Sequence, residues 1–180
     1  AAQVSGPGVR RAARAFALAA VRETFEETGL VIGRAGSPAT RVPASWQHYA
    51  AHGAVPDLSR FALLARAITP PRRPRRFDAR FFVARAPEGQ TPIHDDGETI
   101  ESMWINPHDA IRRHREGDLM LMPPTLANIE FIAAHATADA VIAAAAKVGT
   151  PMTILPKLKV DSDGRVLGIA MPGDPDYDAL

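Results

Sequence analysis

Residues 9–28 contain neither proline nor glycine and close on Gly29. Alanine, leucine, arginine and glutamate dominate this run, and all are strong helix formers. The pattern predicts one long helix, with Gly29 at the position after it where left-handed backbone is needed. The end of that helix reads Arg22-Glu23-Thr24-Phe25-Glu26-Glu27-Thr28-Gly29-Leu30. A helix C-terminus carries partial negative charge, so carboxylates are disfavoured there. With Glu23 at zero and about 100° per residue, Glu26 falls near 300° and Glu27 near 40°. Leu18, Val21 and Phe25 fall at about 160–220°, on the opposite side. One face is built for a core and the other gathers three negative charges, with Arg22 placed to reach Glu26 one turn on.

The rest of the chain alternates between the two periodicities. Leu30-Val31-Ile32 is expected to begin a short strand, followed by a loop over 33–43 and a helix over 44–52 closed by Gly53. The end of the 58–70 run reads as a strand stopped by Pro70-Pro71, and "FDARFFVARA" as another. "ETIESMWINP" is expected to be a strand with Ile100 and Trp104 on one parity. Asn106 then caps a helix with Pro107 in its first turn, ending at Gly117. Further helices are expected from Thr125 and over 138–147. From Pro151 the chain changes character: two apolar runs flank "DSDG", a hairpin signature. The division expected is a domain over 1–150 and a hairpin tail over 151–180. Mixed helices and strands without internal repeats argue for an α/β/α or α+β sandwich.

Composition narrows the chemistry. With no cysteine among 180 residues, disulfides, thiolate metal sites and Cys nucleophiles are excluded. A net charge of +1 implies no polyanion-binding surface overall. No apolar run approaches the ~20 residues that span a bilayer, so no membrane partner is expected and a cytoplasmic location is. The Arg-rich, acid-free start resembles a transit peptide but runs directly into the acidic helix.

Three carboxylates on one helix face are either a solvated surface or a cation site. The leading Arg, the i, i+3, i+4 spacing and the immediate Gly favour the second. All-oxygen ligands suit Mg2+ or Mn2+ beside substrate phosphates. At this point "RETFEETGL" resembles the core of the Nudix box, Arg-Glu-aliphatic-any-Glu-Glu-any-Gly-aliphatic, with Thr24 a mild departure at an aliphatic position. The resemblance implies a Nudix-like fold and hydrolysis of the pyrophosphate bond of a nucleoside diphosphate linked to another moiety. It implies Mg2+ or Mn2+ held by Glu23, Glu26 and Glu27, orientation by Arg22, and one carboxylate activating water. Glu98, or Glu101 as alternate, is the later carboxylate expected to join the site.

The resemblance also shows a departure. Gly8 stands where the full box begins, but Arg14 occupies its first Glu position. Either the outer metal site has degenerated or an insertion splits the box, with the first Glu upstream. The second is preferred, because the branch related to coenzyme A diphosphatases is interrupted in this way. On that reading the first strands of the fold have no counterpart here. Residues 68–82, 95–110 and 121–133 resemble the downstream half of that branch.

Arg72, Arg73, Arg75 and Arg76 form the densest charge cluster and are candidates to grip substrate phosphates. Nucleic-acid contact by the same loop is the weaker reading. Arg76, Asp78 and Arg80 share one parity and are expected to form a buried ion pair. His48 and His52 read as surface histidines, while Trp46, Tyr49, Phe81 and Phe82 read as core. The expected partner is a small-molecule nucleotide diphosphate, with a homodimer as the assembly allowed for. A catalytically silent nucleotide-binding module of the same fold is the alternative function.

Overall fold

The computed structural model describes residues 10–71, 75–93, 102–148, 151 and 153–180. Helix α1 spans Arg10–Thr28 and ends as its sequence requires. Gly29 takes φ 68°, and its amide closes the last turn on the Phe25 carbonyl at 2.8 Å. The buried stripe of α1 is Ala13, Ala17, Val21 and Phe25, one residue per turn.

Strand β1 (Gly33–Ala35) pairs antiparallel with β2 (Ala54–Pro56). This corrects the expected strand at Leu30–Ile32 and places a strand inside the expected loop. Two contacts explain it. The Gln90 side chain accepts from the Val31 amide at 2.8 Å, so a side chain takes the place of a partner strand there. At Gly33 a Cβ would collide with the Tyr49 hydroxyl and the Val55 carbonyl, so glycine lets the strand pass beneath Tyr49. Tyr49 lies on α2 (Gln47–Ala51), which follows a 3-10 turn at Ala44–Trp46. Burial pushes the Tyr49 phenol up to about 12, and it donates to the Ile32 carbonyl at 2.9 Å. Val21, Phe25, Tyr49 and Ala54 form one core cluster.

The central sheet has the order β4-β3-β5 among the described residues. Strand β3 (Ala62–Ile68) runs antiparallel to β4 (Asp78–Val83) and parallel to β5 (Thr153–Ile154). The register slips between Leu63 and Ala65. A bulge of this kind brings residues of both parities to one face, and Ala62, Leu64, Ala65 and Ala67 are all buried. They pack under α4 (Pro123–Ala133) and α5 (Ala138–Lys147) through Ala127, Phe131, Ile142 and Ala145. Alanine on both strand and helix allows close approach. Helix α1 contacts β4, while α4 and α5 cover β3, so helices flank a mixed sheet.

Helix α3 (Pro107–Glu116) starts and stops as the sequence predicts. Asn106 Oδ1 accepts from the His108 amide at 2.9 Å, and Gly117 sits at φ 86°. Helix α4 starts at Pro123 rather than Thr125, because proline is tolerated in a first turn whose amides lack helical partners anyway. Of the expected 98–107 strand, residues 98–101 lie outside the described residues and 102–106 are not strand. Trp104 there is largely exposed. The predicted hairpin forms from β6 (Lys157–Val160) and β7 (Val166–Ala170), with Asp161 Oδ1 accepting from the amides of Asp163 and Arg165 across the turn. The residues leading into it, β5, belong to the central sheet, with Ile154 in the core.

Candidate functional site

The acidic face of α1 opens onto a cavity of about 680 Å3 between that helix and β4. Phe16, Ala19, Ala20, Glu23, Thr24 and Glu27 form the helical wall. At ~100° per residue they occupy one contiguous arc centred near Glu23 and Glu27. Asp78, Arg80 and Phe82 stand opposite on β4, with Phe61 at the side. The cavity thus has two carboxylates on one wall and a charged strand edge on the other.

Glu26 is exposed and is not among the lining residues. Arg22 holds it at 3.6 Å and also pairs with Glu23, spanning the two. Glu26 lies about 60° around the helix from Glu23, on the side away from Glu27, so Arg22 can bridge Glu23 and Glu26 while Glu23 and Glu27 face the cavity. Among the described residues, no three carboxylates or imidazoles converge as a set able to hold an ion. At the helix end the Thr28 hydroxyl donates to the Thr24 carbonyl, and the Ile93 amide donates to the Thr28 carbonyl at 2.8 Å. The segment at 90–93 is therefore tied to the last residue of α1 by Ile93 and to Val31, just beyond the helix, by Gln90.

On the opposite wall, Asp78 is held by two arginines. Arg66 gives it a bidentate contact, Nε to Oδ1 and Nη2 to Oδ2, both 2.7 Å. Arg80 Nη1 lies 3.1 Å from Oδ1 and donates to the Asp78 carbonyl at 2.7 Å. The Arg66 hydrogen bonds, then the Arg80 charge, hold the Asp78 carboxyl below the usual carboxylate range against partial desolvation. The expected Asp78–Arg80 pair forms, but Asp78 keeps 41% of its side chain exposed, so the pair is not buried. Arg76 does not join it. Its Nε donates to the Thr69 carbonyl at 3.1 Å. Arg66 was missed by parity reasoning because it comes from the neighbouring strand, where it sits in register with Arg80.

Arg75 lines a different cavity, of about 870 Å3, formed by Phe77, Pro123, Pro124, Pro156 and neighbours. Glu98, Glu101, Arg72 and Arg73 lie outside the described residues. Arg14 lines a third cavity with Leu18, Trp46 and Tyr49, about half a turn around the helix from Glu23. His48 and His52 are exposed as expected, each with its ring edge-packed on Phe25 at 5.1 and 5.2 Å between centroids.

No family model matches the chain, and no curated protein matches it. Among solved structures it is similar to a NUDIX hydrolase from Alicyclobacillus acidocaldarius, at 26% identity and a TM-score of 0.60. The match covers 71% of this chain and 64% of that one, so the chain spans about two thirds of the length of the solved hydrolase. The class of fold is therefore Nudix-like α+β with a mixed sheet. The likeness agrees with the box-like run at Arg22, Glu23, Glu26, Glu27 and Gly29. No helix among the described residues is by itself long and apolar enough to cross a membrane.

Proposed function

We propose that the chain is a metal-dependent Nudix pyrophosphohydrolase. Its proposed substrate is a nucleoside diphosphate linked to another moiety, with coenzyme A or acyl-coenzyme A the compounds favoured. The observation that carries this is the shared cavity of Glu23 and Glu27, facing a strand that presents Asp78 and Arg80. The donor set fits a hard divalent cation, because two carboxylates one turn apart leave room for water and phosphate oxygens. When bound, Mg2+ or Mn2+ supplies neutralisation of the diphosphate charge and a more acidic attacking water.

Glu23 and Glu27 would hold the ion, with Glu26 completing the carboxylate set from the adjoining face. Arg22 fixes the rotamers of Glu23 and Glu26 by pairing with both. Glu26 or Glu98 would accept the proton of the attacking water on a carboxylate oxygen. The new P–O bond forms as the bridging P–O–P bond breaks, and the second phosphate leaves with its organic group. Arg72, Arg73, Arg75 and Arg76 remain proposed substrate contacts, with Arg75 and Arg76 placed outside this cavity.

The coenzyme A branch and the split box are supported by Arg14. A degenerate ligand would still face the acidic cavity, whereas Arg14 lines another one. A silent nucleotide-binding module is the second reading. It is favoured by Arg22 engaging Glu23 and Glu26, and by the lack of a converging carboxylate set among the described residues.

The test is incubation with a panel of nucleoside diphosphate derivatives including coenzyme A, with and without Mg2+ or Mn2+, and analysis of products by mass. Cleavage between the two phosphates only when metal is present is expected. Binding without cleavage of any compound would favour the silent module, and neither binding nor cleavage would sink both readings.

A further inference from the structure

We infer that Arg80 is the phosphate-gripping side chain of the acidic cavity. This rests on the pyrophosphohydrolase reading for the identity of its ligand, a diphosphate group, but not for the geometry of the site. Among the described residues, Arg80 is the one cationic side chain lining the cavity with Glu23 and Glu27. Its side chain is 15% exposed, and its Nε is buried without a hydrogen-bond partner among the described residues. A buried donor on a charged group that goes unpaired is costly, so such a group is expected to gain a partner in the working state. Its guanidinium lies 4.0 Å from the centroid of the Phe16 ring, which holds the plane in place and removes water from one side.

Charge bookkeeping on the strand points the same way. Arg66 already occupies both carboxylate oxygens of Asp78. Arg80 shares that one carboxylate, so Arg66, Asp78 and Arg80 together carry an excess of one positive charge. This excess faces Glu23 and Glu27 across the cavity. A cation held by the two glutamates and a guanidinium fixed by Asp78 and Phe16 would take opposite sides of one phosphate group. The fork of Arg suits two phosphate oxygens at once, which an ammonium does not. Arg80 is then a substrate-binding residue and Arg66 a positioning residue acting through Asp78.

The test uses the non-hydrolysable α,β-methylene analogue of ADP with Mg2+, titrated calorimetrically into the protein and its variants. Arg80→Ala is expected to weaken binding by about tenfold to a hundredfold, the range for losing a charge-assisted hydrogen bond. Arg80→Lys should recover part of the loss, and Arg66→Lys should give a smaller one. Arg112→Ala, whose side chain pairs with Glu116 on α3 at 2.6 Å, should bind as the wild type does. If Arg80→Ala does not fold, Arg80→Gln is read instead, since its amide retains a donor to the Asp78 carbonyl. Wild-type affinity in folded Arg80→Ala or Arg80→Gln overturns the inference, as does failure of the wild type to bind the analogue. Arg80-dependent binding with no cleavage of any diphosphate would remove the hydrolase reading and leave this site standing. Cleavage with KM unchanged in Arg80→Lys and Arg80→Gln would do the reverse.

Discussion

Glu27→Gln is expected to slow metal-dependent cleavage by roughly three decades, about 4 kcal/mol at 1.4 kcal/mol per decade. The substitution keeps the shape of the side chain and removes its charge, so the wall of the cavity is preserved while the hold on a cation is lost. Glu23 lines the same wall, and Glu23→Gln should behave alike. Glu26 is the informative comparison, because it is held by Arg22 away from the cavity lining. A three-decade loss in Glu26→Gln places it with the cation or the water. A loss of less than tenfold leaves it as a partner of Arg22 alone. The readout is kcat at saturating metal, with Tm measured in parallel. Near wild-type turnover in Glu27→Gln would remove the metal assignment.

Phe25→Ala should destabilise the fold by about 3–5 kcal/mol, the range for emptying a buried aromatic site. Phe25 is 5% exposed, and its ring meets those of His48, Tyr49 and His52 edge-on at 5.1–5.3 Å. It sits between Thr24 and Glu26 in sequence, on the opposite side of α1 from the cavity. Its packing therefore fixes the rotation of the helix that aims Glu23 and Glu27. Urea unfolding monitored by circular dichroism reads the effect. A loss below about 1 kcal/mol would mean that α1 is docked by other contacts.

The acidic helix was legible because its two faces follow from a single period. Val21 and Phe25 fall on the core side and Glu23 and Glu27 on the other without any tertiary information. Gly29, Asn106, Gly117 and the "DSDG" turn were legible for a related reason, each meeting a local backbone need that few residues meet. The opposite wall of the cavity was not. It depends on the register that sets Arg66 beside Arg80, and on a bulge at the start of β3 that no local pattern in "ALLARAI" announces. The burial of Ala65 and Ala67 together with Ala62 and Leu64 breaks simple alternation for that reason. The misplaced strand near Leu30 has a comparable cause. Apolar residues there suggest a strand, but the backbone of Val31 is bonded by the side chain of Gln90, 59 positions away. Long-range polar contacts of this kind leave no periodic trace.

The arginine-rich loop shows that charge density along the chain does not say which cavity an arginine lines. Its arginines dominate the sequence, yet Arg75 lines the cavity on the other side of β4 and Arg76 caps a turn at Thr69. A single arginine in an alternating strand, Arg80, is the one that reaches the acidic cavity among the described residues. Three-dimensional placement, not local concentration, decides which arginine lines the acidic cavity.

The most direct test of the central claim, that the acidic face of α1 is a divalent-cation site, is a Mn2+ titration followed by electron paramagnetic resonance. The wild type would be compared with the Glu23→Gln, Glu27→Gln double variant. The predicted result is a saturable Mn2+ site in the wild type whose affinity falls by at least about tenfold in the variant, as expected for losing ligands. Equal Mn2+ binding by both proteins, or none by the wild type, would contradict it.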